Sequence, residues 1–144
     1  MPSSAEKTEQ TLLLIKPDAV RMRRTGEILA RLEQAGFIVV GLRMMTLARD
    51  HAEAFYAIHR GKEFFDGLVQ FICSGPLVAV LLEGDDCRAR VRRFVGATDP
   101  ARAAPGTIRA EFGTSLRMNA VHASNPEEDV AREVALMFPG SAAG

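Results

Sequence analysis

The chain has 144 residues, 47% of them hydrophobic, and its 18 basic and 18 acidic side chains cancel to zero net charge. That is one domain's worth of sequence, since domains usually run to about 100–150 residues, with enough apolar content for a core. Zero net charge removes any general demand for nucleic acid or an anionic membrane, and no apolar run approaches the roughly 20 residues of a membrane span.

The polar first ten residues lack the apolar stretch of a secretory leader, so residues 1–9 are expected as a loose arm. Thr11-Leu12-Leu13-Leu14-Ile15 is a short apolar run ended by Lys16-Pro17-Asp18. It reads as a buried strand with a lysine at its C-terminal end. The basic cluster Arg21-Met22-Arg23-Arg24 precedes Thr25, a plausible N-cap for a helix marked by Ile28, Leu32 and Ala35 and ended by Gly36. Phe37 to Met44 is a second strand. A helix should follow from Arg49 to His59, with Ala52, Phe55, Tyr56 and His59 on adjoining turns, and another from Phe64 to Ile72, stopped by Ser74-Gly75-Pro76.

Leu77 to Leu82 is entirely aliphatic and closed by Glu83-Gly84, which makes it the strongest strand in the chain. Asp85 can cap a helix with the stripe Cys87, Val91, Phe94 and Val95. Gly96 to Met118 reads as a long loop broken by Pro100, Pro105, Gly106 and Gly113. Loops beyond roughly 12–15 residues inside a compact domain are usually functional. Asn119-Ala120-Val121 then forms a short strand with His122 at its exit. Asn125-Pro126 starts a final helix whose stripe is Val130, Val134, Met137 and Phe138. Glu133 lies beside that stripe, and residues 140–144 read as a frayed tail. Reduced to its core, the order is βαββαβ: an α+β domain spanning 1–144, a split βαβ with helices on one face of a four-stranded antiparallel sheet.

Alone, His122 reads as a surface histidine in a loop. A histidine at a strand exit, followed by a capped helix bearing Glu133, can instead be an oriented nucleophile. Cations support the second reading. Arg88 and Arg92 lie one turn apart and share a helix edge. Arg109 stands in the long loop, Thr98 precedes Asp99-Pro100, and Lys16 closes the first strand. Arginine forks suit phosphate oxygens. Arg90, Arg93 and Arg102 read as solvated surface. No Gly-x-x-x-x-Gly-Lys or Gly-x-Gly-x-x-Gly motif occurs, which excludes P-loop and dinucleotide-binding folds. No His/Cys/Asp cluster has metal-ligand spacing. Cys73 and Cys87 read as reduced packing residues of a cytoplasmic protein.

These landmarks resemble the nucleoside diphosphate kinases. They are Ile15-Lys16-Pro17-Asp18, Phe55-Tyr56, Phe64-Phe65, Ser74-Gly75-Pro76, Glu83-Gly84, Gly96-Ala97-Thr98-Asp99-Pro100, Pro105-Gly106-Thr107-Ile108-Arg109, Asn119-Ala120-Val121-His122 and Arg132-Glu133. The match runs in order from about Thr11 to Phe138. The resemblance implies a ferredoxin-like fold and ping-pong transfer of a γ-phosphoryl through a phosphohistidine at His122, with Glu133 holding the imidazole. It implies that Lys16 and Asn119 bond the nucleotide sugar, the lysine also lying near the transferred phosphoryl. Arg92, Thr98 and Arg109 match phosphate ligands, with Tyr56 beside them and His59 near the α-phosphate. Phe64 and Leu116 match the pair that sandwiches the base, and Leu68 joins the nucleotide-binding set. It further implies nucleoside di- and triphosphates as substrates, Mg2+ carried on their phosphates, and a hexamer or tetramer.

Four stretches depart from the family pattern. Ala123-Ser124-Asn125 replaces Gly-Ser-Asp, which requires φ < 0 at Ala123. Met22-Arg23 stands for Arg-Gly, Arg109-Ala110-Glu111 for Arg-Gly-Asp, and Glu63 for Pro. Two rivals share the topology. An RNA-binding module would stack bases on strand aromatics, but these strands are Leu/Val/Ile-rich. An inactive kinase-like regulator would not need the intact set of Lys16, Arg92, Arg109, Asn119, His122 and Glu133.

Overall fold

In the computed structural model, which describes residues 8–125 and 130–140, four strands form one antiparallel sheet. They are β1 (Thr8–Ile15), β2 (Ile38–Met45), β3 (Leu77–Asp85) and β4 (Val121–Ala123), in the order β2-β3-β1-β4. The helices are α1 (Pro17–Arg21), α2 (Thr25–Gln34), α3 (Arg49–Phe55), α4 (Phe65–Ile72), α5 (Cys87–Val95), α6 (Ile108–Phe112) and α7 (Val130–Met137). Two βαβ units, β1-α2-β2 and β3-α5-β4, interleave their strands, so the fold is the α+β, ferredoxin-like split βαβ read from the sequence.

The central strands are apolar at every position for a physical reason. Leu12 to Ile15 and Leu77 to Leu82 are all buried, because both faces of the sheet are covered. On one face Leu13, Ile15, Val78, Val80 and Leu82 pack against Ile28 and Leu32 of α2, Val91 and Val95 of α5, and Ile108 and Phe112 of α6. On the other face Leu12, Leu14, Leu77, Ala79 and Leu81 meet Phe55 of α3, Val69 and Ile72 of α4, and Val134 and Met137 of α7. The expected one-sided cover is therefore corrected to a sandwich. Burying each such leucine or isoleucine contributes about 1.5–3 kcal/mol.

β2 is the exception. It is an edge strand, bulged between Val39 and Gly41, and Ile38, Val40, Leu42 and Met44 stand 45–62% exposed along it.

Local boundaries differ where turn chemistry decides them. β1 begins at Thr8, inside the expected arm, because Thr8 to Thr11 pair with Asp85 to Leu82. Pro17 at N1 starts α1, a single turn absent from the sequence reading. The helix expected to reach His59 ends at Phe55 and continues as the 3-10 turn Ala57–His59. Asp86 rather than Asp85 precedes α5, with φ 53. The helix start expected at Asn125-Pro126 involves Pro126, which lies outside the described residues, as do residues 1–7 and 141–144 of the expected loose termini. Arg23 adopts φ 61, the left-handed conformation that glycine takes at little cost. Ala123 sits in β4 and is not among the residues with positive φ, so the alanine is tolerated there.

Candidate active site

Where β1 and β4 end side by side, a cleft of about 420 Å3 opens toward α3, α5 and the 96–118 segment. Lys16, Tyr56, His59, Leu68, Arg92, Thr98, Arg109, Leu116, Asn119, His122 and Glu133 all line it. Eleven positions singled out along the chain thus converge on one cavity.

His122 is the middle residue of β4, paired with Leu14 of β1. Its Nε2 lies 2.9 Å from Glu133 Oε1 on α7, and Phe55 meets its ring edge-to-face at a centroid distance of 5.1 Å. Ser124, 1% exposed, donates its hydroxyl to the same Glu133 oxygen at 2.5 Å. Burial alone would raise the Glu133 carboxyl. The hydrogen bonds from His122 and Ser124 and the nearby Arg132 outweigh it and hold the group below the usual carboxylate range.

Two of the cations are held by β4 itself. Arg109 donates Nη2 to Val121 O at 2.9 Å and Nη1 to Gly96 O at 3.1 Å, while its buried Nε has no acceptor among the described residues. Arg92 donates to Ala123 O at 3.2 Å. The two arginines thereby satisfy the carbonyls on either side of His122 along the open edge of β4. Burial first, then the charge of Arg92, bring the Arg109 pKa down to about 10, so it stays charged at pH 7.

Lys16 donates Nζ to Asn119 Oδ1 at 2.6 Å and to Arg117 O at 2.8 Å, and Asn119 Nδ2 bonds Thr98 O at 2.9 Å. This chain ties the end of β1 to the long segment. Burial lowers the Lys16 pKa to about 8 against the opposing pull of Asp18; Arg109 and Arg117 lower it further. Tyr56 is buried at the cleft floor, and burial pushes its phenol well above its usual pKa.

Leu68 and Leu116 form an apolar side of the opening. Phe64 sits at the rim rather than in the lining, 44% exposed, with its ring 5.3 Å from His59. Arg88, read from the sequence beside Arg92, is turned away. Its Nε bonds Gln10 O at 2.9 Å, because one helical turn carries it back along β1. Arg90 covers the Phe37 ring at 4.6 Å, and Arg93 and Arg102 are exposed. The sequence reading named Asp18, Phe55 and Ser124 only within motifs and gave them no role at the site; the two-residue spacing of Ser124 from His122, which puts both on one face of a strand, is the signal that could have found Ser124.

Ala120 has φ 75, and Val121 N bonds Asn119 O at 2.9 Å, which makes a γ-turn two residues before His122. A non-glycine residue held there costs of order 1–3 kcal/mol. The turn has a geometric effect. Residues three apart on a strand point to opposite faces, yet Asn119 and His122 line one cleft.

Taken together, the cleft offers an imidazole with one nitrogen engaged by a carboxylate, three cations around it, and an apolar slot at one side. Such a site can accept a polyphosphate and stabilise charge spread over a transferring phosphoryl.

Comparison with known proteins matches residues 9–143 to the family model described as nucleoside diphosphate kinase. The chain is 50% identical over 133 residues to a nucleoside diphosphate kinase of Acidiphilium cryptum, covering 92% of this chain and 95% of that protein. It is 51% identical over 130 residues to one from Thermus thermophilus, covering 90% and 95%. Among solved structures, the Aquifex aeolicus nucleoside diphosphate kinase superposes with a TM-score of 0.90 at 42% identity, covering 93% of this chain and 97% of that one. A halophilic enzyme from Halobacterium salinarum in complex with CDP gives 0.89 at 44% identity, covering 92% and 89%.

Proposed function

This chain belongs to the nucleoside diphosphate kinase family and is a phosphotransferase, and we propose that it moves the γ-phosphoryl of a nucleoside triphosphate to a nucleoside diphosphate through a phosphohistidine at His122. The observation that carries this reading is the 2.9 Å contact between His122 Nε2 and Glu133 Oε1 at the floor of a cleft ringed by Lys16, Arg92 and Arg109. A carboxylate acceptor keeps the proton on Nε2, which leaves the lone pair on Nδ1.

Nδ1 attacks the γ-phosphorus, the bond from phosphorus to the β,γ-bridging oxygen breaks, and the diphosphate leaves with that electron pair. Positive charge on the phosphorylated ring is balanced by Glu133. A second diphosphate then attacks through a terminal oxygen, the P–N bond breaks, and the imidazole is restored. Arg92, Thr98, Arg109 and Tyr56 are assigned to the phosphates, with His59 toward the α-phosphate and Lys16 and Asn119 to the sugar. Phe64, Leu68 and Leu116 are assigned to the base. Among the described residues, Glu133 is the one carboxylate in the lining, and it is already engaged. The donor set therefore suits magnesium brought in on the substrate's phosphates rather than caged by protein.

The exposed stripe on β2 supports a homo-oligomer, read as a hexamer or tetramer. Two unpaired cysteines support a cytoplasmic location, and no helix among the described residues is long and apolar enough to cross a membrane.

The test is incubation with γ-labelled ATP followed by chase with a different diphosphate. Acid-labile, base-stable label should appear on wild type, pass to the second nucleotide, and be absent from His122→Ala. Label retained on His122→Ala, or turnover with no labelled protein, would overturn the mechanism.

A further inference from the structure

We propose that Asp18 is a positioning residue for His122, acting through the γ-turn at Ala120; this rests on the phosphohistidine reading. Ala120 is fully buried and left-handed, and no side chain of its own holds it there. Both of its backbone groups are taken by the start of α1. Its N–H donates to Asp18 Oδ2 at 3.0 Å, and its carbonyl accepts from Lys16 N at 2.9 Å. Asp18 is itself 6% exposed, and its Oδ1 has no donor among the described residues, so among those residues the Ala120 amide is the one donor to this carboxylate.

A buried carboxylate in such surroundings needs a reason. Deleting it would leave the Ala120 amide buried and unpaired, and Ala120 would be freed toward the extended conformation that alanine prefers. An extended Ala120 restores strand alternation through residues 119–122. Asn119 and His122 could then no longer share the cleft, and Asn119 would release Lys16. The same side chain also favours the charged state of Lys16, which is faced by Asp18 from α1, by Arg109 from α6, and by Arg117 and Asn119 from the loop before β4.

The test measures the rate of His122 labelling at saturating γ-labelled ATP, alongside ATP affinity and amide-exchange protection of β1 and β3. Asp18→Ala should keep the strand protection and slow labelling by about 100-fold, the scale of an ångström-level misplacement of a reacting group. ATP affinity should fall by less than the labelling rate, through the sugar contact that Asn119 gives up, while Arg92 and Arg109 keep the phosphates. Asp18→Asn retains an oxygen that can accept from Ala120 and should restore most of the rate, with the alkaline limb of kcat/KM displaced to lower pH. This variant carries the test should Asp18→Ala fail to fold. Adding Ala120→Gly to Asp18→Ala should recover at least tenfold of the lost rate, because glycine adopts φ 75 unaided.

Labelling of Asp18→Ala at the wild-type rate overturns the inference, as does an Asp18→Asn variant as slow as Asp18→Ala. If wild type itself takes no label, the mechanism falls first and the positioning role falls with it.

Discussion

Arg92 and Arg93 are adjacent in the last turn of α5, yet only Arg92 lines the cleft and bonds the strand of His122. Truncating a charge-assisted phosphate contact costs about 2–5 kcal/mol. Arg92→Ala should therefore lower kcat/KM by orders of magnitude, while Arg93→Ala should stay within about twofold, surface substitutions being usually worth less than about 0.5 kcal/mol. Equal losses would mean that the phosphates lie elsewhere. Lys16 adds a pH prediction. With its pKa near 8, it loses its proton above that pH, so kcat/KM, which reports the free enzyme, should fall along an alkaline limb near pH 8. Because the folded value lies below the ordinary one of 10.5, the charged lysine is a cost to the fold that is full below pH 8 and relieved between 8 and 10.5. Nucleotide-free protein should thus gain thermal stability over the interval in which it loses activity. At this scale the cations that line the cleft were legible, since their types and spacings survive without coordinates. Ser124, Phe55 and Asp18 were not, because each acts through a contact with a residue distant in sequence or through a backbone group.

The 96–118 segment shows where element-level reading stops. Expected as loop, it contains α6, capped by the Thr107 hydroxyl accepting from Ala110 N. Five residues after Pro105-Gly106 are too few for a hydrophobic period to declare itself. The helix matters because it carries Arg109, and its start is fitted to Gly96. That glycine has φ 92, accepts from Arg109 through its carbonyl, and would bring an added Cβ within 2.7 Å of Thr107 Cβ. Gly96→Ala should destabilise the fold by at least about 1–3 kcal/mol from backbone strain alone, readable in a denaturant midpoint. It should also weaken nucleotide binding by shifting Arg109. A variant with wild-type affinity would show that α6 is seated independently of this turn.

For the whole molecule, the alternation of Leu12 to Ile15 between two clusters explains why the strand pattern was plain and the layering was not. A continuous apolar run says that a strand is buried, while which helices cover each face depends on tertiary placement. β2 tests the assembly. A row of four large apolar side chains on an edge strand is uncommon on a monomer surface. Leu42→Glu should reduce the molar mass in light scattering to a smaller species, at modest cost to the isolated fold because Leu42 is 53% exposed. An unchanged mass would move the interface off β2.

The composition of the cleft floor has an optical consequence. The sequence holds no tryptophan and one tyrosine, Tyr56, which lines the cleft near His59. Practically all ultraviolet emission of the protein therefore arises within a few ångströms of where the nucleotide is proposed to sit. Binding, and the appearance of a phosphoryl group on the His122 imidazole in the same cleft, should each change that single emitter's intensity. Rapid mixing of unlabelled protein with ATP could then resolve the two half-reactions by light alone, with no added dye and no background from elsewhere in the chain.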